Sequence, residues 1–424
     1  PRQLPPVRVA RPAQSGIPHG GAAMTLWLLV RRSLRQHLLS TVVTALSLAL
    51  AGGLLMSVWV VKRQARATFT GQTGAWDAVL GARGAKLQLV LNALFHLEAS
   101  AGNVAFADYQ LVASNRAVAL AIPIAVGDNY LGYRIVGTLT NLFTDAEAAP
   151  GRRFLLQEGG RWFEDGYREA VVGSFVAQRL GLKPGDAFKP YHGLNFNPKE
   201  QHDDEYVVTG VLEPSNTPAD RVLWIPLAGL QNMSGHAAAT ATDVSAVLIK
   251  LRSPLAGQQL DLLYNKQGDR LTLAWPLGAV LAQLFDKMGW FDQVLELVAY
   301  LVALVAAGSV LASIYNSLSA RRRDLAILRA LGARRTTVFA SIILEAASVA
   351  ALGMVLAWGF YAGILTAVAA VIRSQTGVVL DPWAWDPVLV VAPVSLVGLG
   401  ALAGILPALK AYATPVAENL APPS

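Results

Sequence analysis

Hydrophobic positions along the chain gather in four blocks, each long enough to cross a bilayer, which takes about 20 apolar residues in a helix. Residues 38–61 form the first and carry no charge. Residues 294–318 form the second, interrupted only by Glu296, and the third lies within 338–371. Residues 387–409 form the fourth, with Trp383 and Trp385 placed before it as interfacial anchors. Between the first and second blocks the pattern shortens to strand-like runs at 117–126, 133–139, 170–172, 206–212 and 244–251. Gly127-Asp128-Asn129, Lys183-Pro184-Gly185-Asp186 and the Pro214–Pro218 stretch read as the turns that separate them. A short strand around 76–80 is bounded by glycines, and a helix over 86–95 follows it. In that helix Leu87, Val90, Leu91, Leu94 and Phe95 fall at helical spacing, facing either the domain core or a lipid surface. A short helix over 174–180 precedes the Lys183–Asp186 turn. The expected fold is therefore a membrane all-α four-helix transmembrane domain with a large α+β domain inserted between spans 1 and 2.

Charge then sets orientation. Arg31, Arg32 and Arg35 precede the first span, and Arg321, Arg322, Arg323, Arg329, Arg334 and Arg335 fill the connection between spans 2 and 3. Lys410 follows span 4, whereas the connection between spans 3 and 4 holds only Arg373 and Asp381. The positive-inside bias puts both termini and the arginine-rich connection in the cytoplasm. Lys62, Arg63 and Arg66 open the large inserted domain, and long domains translocate largely regardless of charge. The expected boundaries are a disordered or non-native tail at 1–23, a cytoplasmic segment and span 1 at 24–61, and an outer domain at 62–291. Span 2 at 292–318, a cytoplasmic helix at 319–336 and span 3 at 337–372 follow. An outer loop at 373–386, span 4 at 387–409 and a cytoplasmic tail at 410–424 complete the chain.

Composition narrows the chemistry. Only 15% of the 424 residues are charged, against roughly a quarter in soluble proteins. The net charge of +7 clusters beside apolar spans, so a membrane rather than a nucleic acid accounts for it. There is no cysteine, which excludes disulfides, thiolate metal sites and cysteine nucleophiles. A Gly-x-Ser-x-Gly elbow is absent. The outer domain holds His96, His192, His202 and His236, with Asp203, Asp204 and Glu205 beside His202. His192, His202 and Asp203 are the weak metal candidates, but no pair has the i, i+4 spacing that preorganises a site on a helix. Apart from Glu296 and Glu345 the spans hold almost no ionisable residue, so no ion path is evident. Glu345 reads as facing the bundle or snorkelling to the cytoplasmic surface.

The most informative run is Arg321-Arg322-Arg323-Asp324-Leu325-Ala326-Ile327-Leu328-Arg329-Ala330-Leu331-Gly332-Ala333. Leu325, Leu328 and Leu331 recur at three-residue intervals among arginines, Gly332 is placed to end the helix, and Thr336 or Thr337 to cap span 3. This run resembles the one between the second and third spans of the MacB/FtsX-like permeases, which include LolC and LolE. Pro407-Ala408 through Pro415-Val416 resembles that family's ending, and Gly81-Ala82-Arg83-Gly84 through Gly102-Asn103-Val104 the start of a MacB-type periplasmic domain. The resemblance implies the permease subunit of an ABC transporter in the bacterial inner membrane. Arg321, Arg322, Arg323, Asp324, Leu325, Leu328, Arg329, Leu331 and Gly332 would form the coupling helix that docks the ATPase. It further implies a second permease chain paired through spans 1 and 2, expected as a homodimer with a heterodimer the alternative, and mechanical work on a lipid, lipoprotein or other outer partner rather than a pore. No Gly-x-x-x-x-Gly-Lys-Ser/Thr loop occurs, so no cofactor is expected in this chain. ATP and Mg would be bound by a separate ATPase polypeptide. The alternative is an FtsX-like signalling protein that activates a periplasmic partner without transport; co-purified lipid or lipoprotein against a stoichiometric hydrolase separates the two.

Overall fold

The computed structural model describes residues 20–72, 75–234, 242–376 and 380–413. Four helices among them are long and apolar enough to cross a membrane, at Leu38–Ala67, Gly289–Ala320, Arg335–Ser374 and Val388–Tyr412. An α+β domain lies between the first and second, the architecture the hydropathy pattern implied. The chain divides into two compact units. One is helical, from the described parts of Pro1–Val58, Glu296–Ile364 and Trp385–Ser424; the other comprises Trp59–Leu295 and Leu365–Ala384.

In the helical unit a first helix, Gly20–Gln36, precedes span 1. It opens within the stretch read as a tail; residues 1–19 lie outside the described residues. Val30 and Ser33 turn inward while Arg31, Arg32 and Arg35 stay exposed, so this is an amphipathic helix rather than an extended lead-in. Span 1 belongs to a helix of 35 residues, Leu38–Gln72, and span 2 to one of 44, Leu277–Ala320. At 1.5 Å per residue the latter is about 66 Å long, against a bilayer core of about 30 Å. It therefore opens well before the expected boundary at 292, because Leu277, Val280 and Leu281 have the apolar core of the inserted domain to pack into. Span 3 lies in the 42-residue helix Arg335–Thr376. That helix opens at Arg335, so neither Thr336 nor Thr337 is its cap; Thr337 N donates to Arg334 O at 3.0 Å. Span 4 is two pieces, Val388–Ala403 and Ile405–Ala413, interrupted at Gly404.

Small residues bring these helices together. A Cβ on Gly353 of span 3 would meet Leu48 Cβ at 2.7 Å and Ala45 O at 2.9 Å on span 1, and one on Gly400 of span 4 would meet Ala350 Cβ at 2.7 Å. Apolar side chains gain nothing by leaving lipid for each other, so close backbone approach and van der Waals contact hold such bundles together.

The inserted domain is built on a mixed sheet. Its strands are β1 (Ala78–Ala82), β2 (Val118–Tyr130), β3 (Tyr133–Thr138), β4 (Glu147–Ala149), β5 (Arg152–Arg153) and β6 (Glu169–Val172). The remainder are β7 (Ala187–Phe188), β8 (Tyr191–His192), β9 (Tyr206–Val211), β10 (Leu223–Pro226), β11 (Ala246–Leu251) and β12 (Leu271–Ala274). The order is β12-β1-β11-β2-β3-β10-β6-β9-β7, with β8 paired to β2 and β4-β5 a separate hairpin. Both faces are buried. Val79, Ile122, Ile124, Val171 and Leu248 enter one core, and their neighbours Leu80, Ala121, Ala125, Val172 and Ile249 enter the other. Two buried faces explain why these strands read as continuous apolar runs rather than as alternation. The helix Lys86–Ala93 buries Leu89, Val90 and Ala93, so its apolar face belongs to a core and not to lipid.

One turn assignment is overturned. Gly127-Asp128-Asn129 is strand, inside β2 at a bulge, and the hairpin turn lies at Leu131-Gly132, whose φ values are 50° and 86°. Asp128 and Asn129 are fully buried because each holds the chain near β8: Asn129 Nδ2 donates to Gly193 O at 2.8 Å and to Asn195 O at 3.2 Å. Turn-forming residue types appear here in a strand because tertiary partners satisfy them.

Candidate functional site

The arginine-rich connection folds as a helix of nine residues, Arg322–Ala330, set between the end of span 2 at Ala320 and the start of span 3 at Arg335. Arg321 breaks the two helices apart with φ −110° and ψ 13°. Asp324 sits in the first turn and Arg329 in the last, each complementing the helix dipole. The C-terminus closes in a paired arrangement: Ala333 N donates to Leu328 O at 3.0 Å and Gly332 N to Arg329 O at 3.1 Å, with Gly332 at φ 99°. This Schellman closure satisfies the last carbonyls and turns the chain directly into span 3.

The two faces of this helix differ. Leu325 and Leu328 line a cleft with Leu29, Val30, Val338 and Ser341, and Ala326 is buried. Leu331 does not share that face; at the C-cap it is 81% exposed, and with Ile327 at 42% it makes an apolar pair on the outer side. Arg323, Asp324, Arg334 and Arg335 are exposed, with Asp324 at the rim of the same cleft, whereas Arg329 is half-buried. The side chain of Arg322 lies outside the described residues.

Arg321 turns the other way. Its guanidinium reaches inward to a polar cluster drawn from three stretches of chain. It makes an ion pair with Glu345 of span 3 at 3.6 Å, donates from Nε to His37 Nε2 at 3.1 Å, and donates from Nη2 to Ser33 Oγ. Ser33 Oγ in turn donates to Glu345 Oε1, and Ser317 Oγ of span 2 reaches the same oxygen at 3.5 Å. The Arg321 and Glu345 side chains are only 17% and 14% exposed. Ionised groups so placed in a membrane bundle persist only when paired and hydrogen-bonded. Glu345 therefore faces the bundle rather than snorkelling. Ser33, His37 and Ser317 were not singled out from the sequence, yet a faint signal exists: Ser33 and His37, and Ser317 and Arg321, are i, i+4 pairs.

In the inserted domain the histidines separate. His96 is half-buried and lies edge-on to Trp224, with ring centroids 5.6 Å apart, and desolvation, reinforced by the Arg134 charge, pushes its imidazole down to about 3. His192 and His202 come together, with ring centroids 5.4 Å apart, and Asp128 lies between them. Asp203 is exposed and outside this group, and His236 lies outside the described residues. His192 stands opposite Asp128 because β8 pairs with β2, and His202, 74 positions from Asp128, is brought in by its backbone bond to Pro190 just before β8; sequence spacing encodes neither contact.

Four spans, an α+β domain between the first two, and a capped amphipathic helix between the second and third describe a transporter permease. Residues 41–261 match the MacB-like periplasmic core domain and residues 296–416 the FtsX-like permease C-terminal domain. The chain belongs to the MacB/FtsX-like family of ABC transporter permeases. Among solved structures it is similar to the periplasmic region of MacB from Actinobacillus actinomycetemcomitans, at 11% identity and TM-score 0.34, covering 50% of this chain and 94% of that one. It is also similar to the extracellular domain of the noncanonic ABC-type transporter YknZ from Gram-positive bacteria, at 15% identity and TM-score 0.30, covering 46% and 98%. No curated protein matches its sequence.

Proposed function

We propose that this permease couples ATP hydrolysis on a separate ATPase subunit to rearrangement of its inserted domain, exporting a substrate or extracting it from the outer leaflet by mechanotransmission. The observation that carries this reading is the two-sided character of the helix Arg322–Ala330. Its outer side presents Arg323, Ile327 and Leu331 to solvent, a basic and apolar surface fit for a partner protein. Its inner side turns Leu325 and Leu328 toward a cleft shared with the first helix and span 3, and Arg321, immediately before the helix, is tied to Glu345 of span 3. A push on the outer side then moves the spans rather than bending a loose loop. On this reading the helix and both termini are cytoplasmic, the inserted domain is periplasmic, and the chain sits in the bacterial inner membrane. Two permease chains, a homodimer, sit above two ATPase subunits that hold ATP and Mg.

Charge reversal tests the docking surface. Arg323→Glu with Arg329→Glu, and separately Ile327→Asp, should each reduce recovery of the ATPase in a pull-down by at least tenfold while permease yield stays unchanged. Undiminished ATPase recovery with all of these changes combined would count against docking at this helix.

A further inference from the structure

We infer that Asp128, His192 and His202 form a binding site for one divalent transition-metal ion of the zinc type on the edge of the inserted domain. The three ligand atoms lie within 4.8 Å of one another. Asp128 Oδ1 is 3.3 Å from His202 Nε2 and 3.4 Å from His192 Nδ1. Ligands at zinc bond lengths of about 2.0–2.1 Å, arranged tetrahedrally, stand about 3.3 Å from each other, so these two edges already have the length a bound ion requires. Both are longer than a well-formed N–H···O hydrogen bond, whose usual range ends near 3.2 Å. The remaining edge joins the two imidazoles, whose ring centroids stand 5.4 Å apart, with His192 53% exposed.

Protonation chemistry points the same way. His202 Nδ1 lies 2.6 Å from the Ser234 carbonyl oxygen. A carbonyl only accepts, so Nδ1 carries the proton, and in a neutral ring Nε2 is then a bare lone pair. That lone pair faces the carboxylate oxygen of Asp128, whose side chain is fully buried. A metal ion between these two acceptors would satisfy both. The imidazole held by a carbonyl on one nitrogen and aimed by the other is the orientation metal-bound histidines adopt.

The surrounding shell is built. Asp204 Oδ2 accepts from Ser234 N at 2.8 Å and from Ser234 Oγ at 2.6 Å, and Arg168 pairs with the same carboxylate group, so the carbonyl that orients His202 is itself fixed. His192 N donates to Glu200 O at 2.7 Å and His202 N to Pro190 O at 2.9 Å, which binds the two histidine-bearing segments to each other. Two imidazoles and one carboxylate suit zinc and its neighbours rather than calcium or magnesium, which prefer all-oxygen sites. The bound ion clips the excursion between β7 and β9 onto the bulge of β2 and keeps an open position toward solvent beside His192. The inference is independent of the ATPase-docking reading.

The full-length chain, purified in detergent and stripped with a chelator, is titrated with Zn2+ alone and followed by calorimetry and thermal unfolding. The expected result is one equivalent bound at micromolar affinity or tighter with a rise in Tm. His192→Gln should weaken binding at least tenfold and abolish the rise, and Asp128→Asn should do the same. Asp203→Asn should bind as the parent does. His192 is a surface side chain, so His192→Gln decides the matter even where Asp128→Asn fails to fold. Absence of binding and of a Tm shift in the parent, equal binding by His192→Gln, or loss of binding in Asp203→Asn would each overturn the assignment.

Discussion

Arg321 and Glu345 carry opposite charges that meet below the surface of the helical unit, with Ser33, Ser317 and His37 supplying the remaining hydrogen bonds. In such surroundings the net worth of the pair is small, because desolvation offsets attraction, but the cost of breaking it is large. Removing one partner leaves a charge without compensation, typically at a cost of about 3–5 kcal/mol, whereas removing both costs far less. Arg321→Gln and Glu345→Gln should therefore each lower the Tm of the purified permease markedly, and the double variant should recover much of the loss. A double variant no more stable than the sum of the single changes would show that the two groups act separately. Arg321 also differs from its neighbours in role: it faces the bundle, while Arg323, four residues from Ile327, faces out. Six arginines in one connection look alike as a sequence. Their contacts sort them.

The helix Arg322–Ala330 owes its length to its ends. Too short to be stable alone in water, it is closed at one end by the break at Arg321 and at the other by Gly332. Gly332 has φ 99° and nothing within 4 Å of where a Cβ would stand, so a substitution there acts through backbone conformation alone. Gly332→Val should cost about 1–2 kcal/mol locally, loosening the junction with span 3. Hydrogen exchange should then be faster across 322–334, with the inserted domain unchanged; unaltered exchange in that segment would remove Gly332 from its closing role. At the same scale the hydropathy pattern located every span, because a bilayer admits only continuous apolar helices. The helix that carries span 2 starts earlier than the span itself, at Leu277, where Leu277, Val280 and Leu281 enter the core of the inserted domain and not lipid.

For the molecule as a whole, the absence of cysteine allows a direct test of topology. Arg334→Cys and Lys199→Cys each introduce a single thiol at an exposed position. With membrane-impermeant maleimide on intact spheroplasts, Lys199→Cys should label and Arg334→Cys should label only after lysis. The reverse pattern would invert the proposed orientation and with it the docking of a cytoplasmic ATPase. The same scale separates the two units: one is held by small residues packed backbone to backbone, the other by a sheet with apolar cores on both faces. Each was legible as a class from the chain, since lipid and a soluble core impose different periods on apolar residues.

By itself the sequence determined the number of spans, the insertion of an α+β domain after the first, the amphipathic helix after the second and the glycine that ends it. Those features are local, written in runs of residues that meet the same solvent. Tertiary structure alone decided which side chains meet from far apart in the chain: Ser33 with Glu345, and Asp128 with His192 and His202. It turned Asp128 and Asn129 from a turn into a buried bulge and divided Leu325 and Leu328 from Leu331. The physical reason is that a helix or strand period fixes the direction of a side chain relative to its own element. What that side chain faces depends on how the elements pack.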